Sequence, residues 1–101
     1  MDIEERNNKI YYLREHLSNE ALYEQLAEEC CELGQASLKY IRALGNGNPT
    51  PVLPSQAIFN ILEEAVDVYL CMIVANVLPD GNVLDSKLER WYKRVKEAND
   101  E

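Results

Sequence analysis

Apolar residues recur every three or four positions in four stretches of this chain, which is the spacing of a helix face. The predicted helices are Ile3 to Leu17, Asn19 to Leu44, Ser55 to about Val77 and roughly Val83 to Ala98. Ser18 or Asn19 is expected to cap the second helix, and Ser55 the third. The third stretch is apolar almost all round, so it is expected to be buried.

Glycine and proline interrupt this pattern at two places. The segment from Gly45 to Pro51 holds two glycines and two prolines and is expected to be a loop. Pro79 and Gly81 end the third helix. Four glycines and four prolines in all are too few for the turns of a small β-sandwich. The pattern predicts an all-α, four-helix bundle-like fold, and 101 residues suit one domain over residues 1–101.

The charge balance limits which partners the protein is expected to bind. Asp and Glu outnumber Lys and Arg by 18 to 10, which gives a formal net charge of -8 at pH 7. Because phosphate backbones are bound by clustered Lys and Arg, no nucleic-acid partner is expected. A small triphosphate is still compatible with this charge when divalent cations lie between its phosphates and the protein.

The cysteines and the apolar stretches indicate in which cellular compartment the protein is expected. Cys30, Cys31 and Cys71 form neither an even disulfide framework nor a Cys-x-x-Cys pair, and no secretory leader opens the chain, so a cytoplasmic location is expected. We expect these cysteines to pack as small apolar residues inside the fold. The longest apolar stretch, Ala65 to Leu78, is shorter than the roughly 20 residues of a membrane span, so no membrane partner is expected.

Two similar acidic motifs carry the candidate chemistry. They are Glu28-Glu29-x-x-Glu32 in the second predicted helix and Glu63-Glu64-x-x-Asp67 in the third. Residues three apart are neighbours on a helix surface, so each helix offers a pair of carboxylates. Glu29 falls on the apolar stripe of its helix, and Asp67 is surrounded in sequence by apolar residues. A carboxylate buried without a partner costs several kcal/mol, so these two need one.

A divalent cation would neutralise these carboxylates. The second and third predicted helices hold only Lys39 and Arg42 as cations of their own. Ligands made solely of carboxylate oxygen favour Mg²⁺ or Mn²⁺, whereas a chain with His16 as its one histidine lacks the ligands of zinc and Glu-x-x-His di-iron sites. A single Glu-x-x-Glu pair is most often a solvated face, so the prediction rests on there being two. The carboxylates expected to converge are Glu29, Glu32, Glu64 and Asp67.

The motifs resemble those of a known family. Glu28–Glu32, followed after a loop by Glu64–Asp67, is similar to the EExxE…ExxD signature of the MazG-like nucleotide pyrophosphohydrolases. The resemblance runs from about Leu22 through the fourth helix, where Lys87–Arg90 is similar to a Lys/Arg-bearing segment of MazG-type proteins. It implies a MazG-type helical bundle that assembles as a homodimer or homotetramer. It also implies Mg²⁺-dependent cleavage of a nucleoside triphosphate between its α- and β-phosphates, giving monophosphate and pyrophosphate.

The resemblance also implies roles for individual residues. It puts Glu29, Glu32, Glu64 and Asp67 at the metal-ligand positions. Glu28 or Glu32 would then accept the proton of the attacking water. Lys39, Lys87 and Arg90 are the candidates for holding the phosphates of the substrate.

Two alternatives stay open. The loop between the motifs is longer than is usual in that family, which leaves base selectivity open, and a phosphoribosyl-ATP pyrophosphohydrolase would share the bundle and the acidic pattern. A non-enzymatic helical interaction module would instead dock its acidic faces on a basic partner. A homo-oligomer is expected in each case, because the third helix is apolar on more sides than a four-helix monomer can cover.

Overall fold

The computed structural model describes residues 1–45, 47 and 50–100 of the chain. Within these residues the chain forms four helices and no strand. The helices are α1 (Ile3–His16), α2 (Asn19–Ala43), α3 (Pro54–Val74) and α4 (Gly81–Asn99). The predicted all-α class is therefore confirmed, and each predicted helix is present with its ends within three residues of the prediction.

The first residues of α2 and α3 show what fixes a helix start. Ser18 accepts a hydrogen bond from the backbone N–H of Ala21 at 3.0 Å, as predicted for the cap of α2. The prediction that Ser55 caps α3 is wrong, because the helix already begins at Pro54, with Leu53 at the cap position. Proline suits the first helical position since its fixed φ is helical and its missing N–H would have no partner there.

The connection from α3 to α4 is tightly specified by hydrogen bonds. Asn76 adopts a left-handed φ of 60°, and the N–H of Val77 donates to the carbonyl of Met72 at 2.8 Å. This is the Schellman ending of a helix, and it stops α3 at Val74. The carboxylate of Asp80 then accepts hydrogen bonds from the first backbone N–H groups of α4 at 2.8 and 3.1 Å.

The predicted loop between α2 and α3 is described in part. Gly45 and Gly47 have φ values of 89° and 73°, which glycine adopts without a steric penalty. Three residues of the predicted loop lie outside the described residues: Asn46, Asn48 and Pro49. Glu101, the last residue of the sequence, lies outside them as well.

Helices α2 and α3 pack against each other along their length as an antiparallel hairpin. All the buried residues of the described chain belong to this hairpin, and their side chains are 1–8% exposed. They are Leu22 and Ala36 of α2 and Ala57 and Val74 of α3. Three of the four are small or β-branched, so the two helices approach closely and the core of a single chain is thin.

Helix α1 is fastened to the end of α3 by one side chain. The Arg14 guanidinium donates hydrogen bonds to the carbonyl oxygens of Val74 at 3.0 Å and of Ile73 at 2.8 Å. The last carbonyls of a helix lack partners within the helix and carry a partial negative charge. Arg14 therefore caps α3 and holds α1 across it.

Helix α4 packs on none of the other helices. Across the described residues, no Cα atom of α4 lies within 8 Å of a Cα atom of α1, α2 or α3. A single chain thus has four helices but does not close them into the predicted four-helix bundle. The expectation that α3 is buried is also wrong for a single chain, since Ala57 and Val74 are its only buried residues. In the described part of the chain, no helix combines the length and the apolar content needed to cross a membrane.

Candidate functional site

Three of the four carboxylates expected to bind metal come together between α2 and α3. Glu29, Glu64 and Asp67 each place one carboxylate oxygen within 4.8 Å of the other two, and we call these three residues the acidic cluster. Glu29 comes from α2, while Glu64 and Asp67 lie one turn apart on α3. Glu32 stands outside the cluster. It is exposed and lines a neighbouring cavity together with Glu64.

Two oxygens of the acidic cluster are hidden without a partner. The Oε2 atoms of Glu29 and Glu64 each expose less than 1 Å² and have no hydrogen-bond partner among the described residues. The other oxygen of Glu29 accepts a hydrogen bond from the Gln25 side-chain amide at 2.8 Å. A hidden carboxylate oxygen without a donor is costly, so this arrangement calls for a positive charge or a proton.

No basic side chain supplies that positive charge within the described residues. The ion pairs found there join Lys9 to Glu5 at 3.1 Å and Lys93 to Glu89 at 3.8 Å, both on exposed helix surfaces. The acidic cluster therefore has an excess of negative charge that the described chain leaves uncompensated.

The surroundings of Glu29 favour the protonated form of its carboxyl group, so its pKa is raised. Partial burial raises the pKa of the Glu29 carboxyl, and the nearby carboxylates of Glu32 and Asp67 raise it further. The Gln25 hydrogen bond acts in the opposite direction. Burial and the carboxylates of Glu29 and Asp67 likewise raise the pKa of the Cys71 thiol beside them. Both shifts have the direction expected for a crowded, partly desolvated negative site.

The burial of the acidic and cysteine residues corrects two predictions. Asp67, expected to be the most enclosed carboxylate, is exposed, whereas Glu29 and Glu64 are half-buried. Its neighbours Val66 and Tyr69 are 63% and 64% exposed, so they do not enclose it. The cysteines were expected to be core residues, but Cys30 and Cys31 are exposed; Cys71 is half-buried.

Two cavities flank the acidic cluster. The first, of about 420 Å³, is polar, and its lining includes Glu32, Lys39, Asn60 and Glu64. The second, of about 370 Å³, lies between α1, α2 and α3 and touches Glu29 and Asp67. Its other walls are mainly apolar: Leu13, Leu17, Ala21, Leu22, Leu70, Cys71 and Val74. The acidic cluster thus lies between the polar cavity, which Lys39 lines, and the apolar cavity, which is large enough to hold a planar ring.

The remaining predicted site residues are divided between these cavities and α4. Glu28 is exposed and takes no part in the acidic cluster. Lys39 reaches the polar cavity, as a phosphate-binding residue would need to. Lys87 and Arg90 line a shallow groove on α4 with Trp91 and Arg94. Because α4 packs on no other helix of the described chain, one copy of the chain does not bring Lys87 or Arg90 to the acidic cluster.

Sequence reasoning missed the polar amide residues at the site, which include Gln25 and Asn60. Gln25 lies one turn before Glu29 and orients its carboxylate. Asn60 lines the polar cavity one turn before Glu64. In each case the signal was available, because a polar amide four residues from a glutamate lies on the same helix face.

Carboxylate oxygens like those of the acidic cluster are the ligand type that Mg²⁺ and Mn²⁺ prefer. Two oxygens on opposite sides of Mg²⁺ are separated by about 4.2 Å, twice the usual Mg–O distance. The three ligand oxygens of the acidic cluster lie within 4.8 Å of one another, a slightly wider limit than that separation. Such an ion would neutralise the two hidden oxygens that have no partner.

No protein-family model matches the chain, and comparisons with curated proteins and with solved structures find no match.

Proposed function

We propose that the protein is a divalent-cation-dependent nucleoside triphosphate pyrophosphohydrolase of the MazG-like kind, acting in the cytoplasm. The observation that carries the proposal is the meeting of three carboxylates from two helices within 4.8 Å, with two hidden oxygens that no described residue partners. Hard oxygen ligands of this kind suit Mg²⁺ or Mn²⁺, and Mg²⁺ sites in proteins usually also hold a phosphate.

The residues would divide the work by position. Glu29, Glu64 and Asp67 would hold the cation, with Glu32 joining them from the polar cavity. A bound cation would supply charge neutralisation for the phosphates and lower the pKa of a water molecule. Glu32 is the better candidate for the base, because it lines the polar cavity beside the cluster, whereas Glu28, which is equally exposed, lines neither cavity. Lys39 would bind phosphate oxygens in the same cavity.

The two cavities suggest how a nucleotide would lie. Its charged phosphates fit the polar cavity with Lys39, and its base fits the apolar cavity on the other side of the acidic cluster. This arrangement puts the reacting phosphorus near the carboxylates, as cleavage between the α- and β-phosphates requires.

The experiment measures metal binding and turnover separately. Metal-stripped protein is melted with increasing Mn²⁺ or Mg²⁺, and a concentration 100-fold above Kd should stabilise the fold by about 2.7 kcal/mol. Pyrophosphate release is then followed with canonical and modified nucleoside triphosphates and with phosphoribosyl-ATP. Asp67→Asn and Glu64→Gln should abolish both the stabilisation and the turnover. Glu24→Gln, an equal charge change at an exposed position of α2, should affect neither.

The outcomes distinguish the alternatives. Turnover of phosphoribosyl-ATP alone would identify the related pyrophosphohydrolase. If the metals raise the melting temperature of neither the parent protein nor its variants, and no nucleotide releases pyrophosphate, the catalytic proposal is rejected. The acidic faces would then be docking surfaces for a basic partner.

A further inference from the structure

The same short pattern of amide and acidic residues occurs in α2 and in α3. It is Gln-x-x-Glu-Glu-x-x-Glu over residues 25–32 and Asn-x-x-Glu-Glu-x-x-Asp over residues 60–67. Each helix thus has an amide one turn before the glutamate that it contributes to the acidic cluster. The two amides occupy equivalent positions, so a difference between their hydrogen bonds indicates a difference in what they do.

The amide of α2 is used within the acidic cluster, and the amide of α3 is not. The Nε2 group of Gln25 donates to Oε1 of Glu29 at 2.8 Å and so orients that carboxylate. Oδ1 of Asn60 instead accepts a hydrogen bond from Nε2 of Gln56, one turn earlier on α3, at 3.0 Å. The hidden oxygen of Glu64 has no partner among the described residues. Asn60 therefore does not hold its glutamate as Gln25 does.

The hydrogen bond from Gln56 determines which way the Asn60 amide is turned. A side-chain amide has one oxygen that accepts and one NH₂ group that donates. Because Gln56 occupies the oxygen, the NH₂ group of Asn60 is left for another partner. Asn60 is half-buried and lines the polar cavity together with Lys39. A ligand that meets Asn60 in this cavity must therefore offer a hydrogen-bond acceptor, as a phosphate oxygen does.

Asn60 lies between the acidic cluster and Lys39 along the hairpin. On α3 it is four residues from Glu64, which is about 6 Å along the helix axis. On α2, Lys39 is seven residues from Glu32, which is about 10 Å along the axis. The apolar cavity extends from the cluster in the opposite direction, toward Val74. A phosphate chain that begins at the cluster and enters the polar cavity thus passes Asn60 before it reaches Lys39.

We propose that Asn60 is a substrate-binding residue that donates hydrogen bonds to the phosphate group next to the cleaved bond, and that Gln56 is the positioning residue that turns its amide. This inference rests on the proposed function and deepens it. Asn60 binds the β-phosphate, which every substrate cleaved between its α- and β-phosphates has. Lys39 binds the γ-phosphate. Lys39 then sets the preference for a triphosphate, whereas Asn60 serves diphosphates and triphosphates alike.

Binding of inorganic pyrophosphate tests the role of Asn60 without turnover. Asn60→Leu keeps the approximate shape of the side chain and removes its donors, so it should weaken pyrophosphate binding about 10- to 100-fold, the usual loss for a hydrogen bond to a charged group. Isothermal titration calorimetry of the full chain in Mn²⁺ measures the affinity. Asn8→Leu, the same substitution at an exposed position of α1, should leave it unchanged. Mn²⁺ alone should raise the melting temperature of Asn60→Leu as much as that of the parent protein.

Three results would overturn the role of Asn60. An unchanged pyrophosphate affinity in Asn60→Leu would show that Asn60 does not contact the phosphates. Loss of the Mn²⁺ stabilisation in Asn60→Leu would show that Asn60 supports the acidic cluster, as Gln25 does, and not the substrate. A parent protein that binds no pyrophosphate in Mn²⁺ would show that the polar cavity is not a phosphate site.

A change of the neighbouring amide tests the positioning role. Gln56→Glu replaces the donor by an acceptor, which attracts the NH₂ group of Asn60 and turns its oxygen toward the cavity. Pyrophosphate should then bind about 10-fold more weakly. Ser55→Glu puts the same negative charge on the adjacent exposed residue and measures the effect of charge alone. Equal affinities of Gln56→Glu and Ser55→Glu would reject the positioning role of Gln56.

Turnover of nucleoside triphosphates and diphosphates separates this inference from the proposed function. Asn60→Leu should lower kcat/KM for both classes about equally, whereas Lys39→Met should lower it mainly for triphosphates. A loss in Asn60→Leu confined to triphosphates would overturn the assignment to the β-phosphate. Parent turnover that Asn60→Leu leaves unchanged would reject the role of Asn60 while the function stands. Pyrophosphate binding that depends on Asn60, with no turnover of any nucleotide, would reject the function while Asn60 stands as a phosphate-binding residue.

Discussion

The α2–α3 hairpin and helix α4 have similar amphipathic patterns but opposite environments. Ala36 and Ala57 let α2 and α3 approach closely, and Leu22 and Val74 complete a thin core between them. Helix α4 carries larger apolar residues, including Trp91, and yet packs on no helix of the described chain. The comparison teaches that an apolar stripe predicts a helix and a buried face but does not identify the surface that covers it.

The largest effect expected from this comparison is a core truncation in the hairpin. Leu22→Ala removes a side chain that is 7% exposed and should lower the free energy of unfolding by about 3 kcal/mol at every protein concentration. Leu84→Ala, at a side chain 58% exposed on α4, should act through assembly, so its cost should depend on protein concentration. Denaturant unfolding at several concentrations measures both. Equal, concentration-independent losses would remove the distinction between the two regions.

A smaller effect is expected where α1 is fastened to the hairpin. Arg14→Ala removes two charge-assisted hydrogen bonds to the last carbonyls of α3 and should cost about 2 kcal/mol. Arg14→Lys keeps the charge but not the paired donors, so it should recover part of the loss. Amide hydrogen exchange should rise at the end of α3 in the alanine variant. Unchanged exchange there would show that the cap contributes little.

The pH dependence of the metal-free protein isolates the acidic cluster. The pKa of Glu29 is raised in the folded state, so its contribution to stability is fully present below the unfolded pKa of about 4.3 and is lost as the pH rises through the folded pKa. The melting temperature of the parent protein should therefore fall with pH relative to Glu29→Gln. With Mn²⁺ the slope should reverse, because the cation binds the ionised carboxylate. Parallel curves for the two proteins would contradict this.

The smallest expected effect is at the start of α4. Asp80→Ala removes the acceptor of two backbone N–H groups and should destabilise the first turn of α4 by about 1 kcal/mol. Because no Cα atom of α4 lies within 8 Å of the hairpin in the described part of the chain, amide exchange should rise in α4 while α2 and α3 keep their protection. Exchange that rises equally in all three helices would mean that they unfold as one unit.

The sequence predicted the helices better than their arrangement. Helical spacing and Gly/Pro breaks depend on neighbouring residues, so the four elements and the cap at Ser18 could be inferred. The side chain that fastens α1, Arg14, could not, because its acceptors at Ile73 and Val74 are about 60 residues away and are backbone atoms. The position of α4 was missed for the same reason.

The acidic cluster shows a similar division. The two motifs predicted carboxylates meeting between α2 and α3, and Glu29, Glu64 and Asp67 do meet. The prediction that Asp67 is the most enclosed of them is wrong, because apolar neighbours in sequence such as Val66 and Tyr69 lie on another side of the helix. Its surroundings are decided by which side of α3 faces α2, and that depends on the packing of the whole hairpin.

The left-handed Asn76 gives the connection between α3 and α4 an importance beyond ending a helix. Six residues, 75–80, set the direction in which α4 leaves the hairpin, and Asn76 is the one among them with a left-handed φ, of 60°. Changes confined to this short joint could redirect α4 while preserving its apolar residues and every acidic residue of the hairpin. Relatives with different joints would then differ in quaternary architecture, and an engineer seeking a self-contained monomer would begin by lengthening this joint.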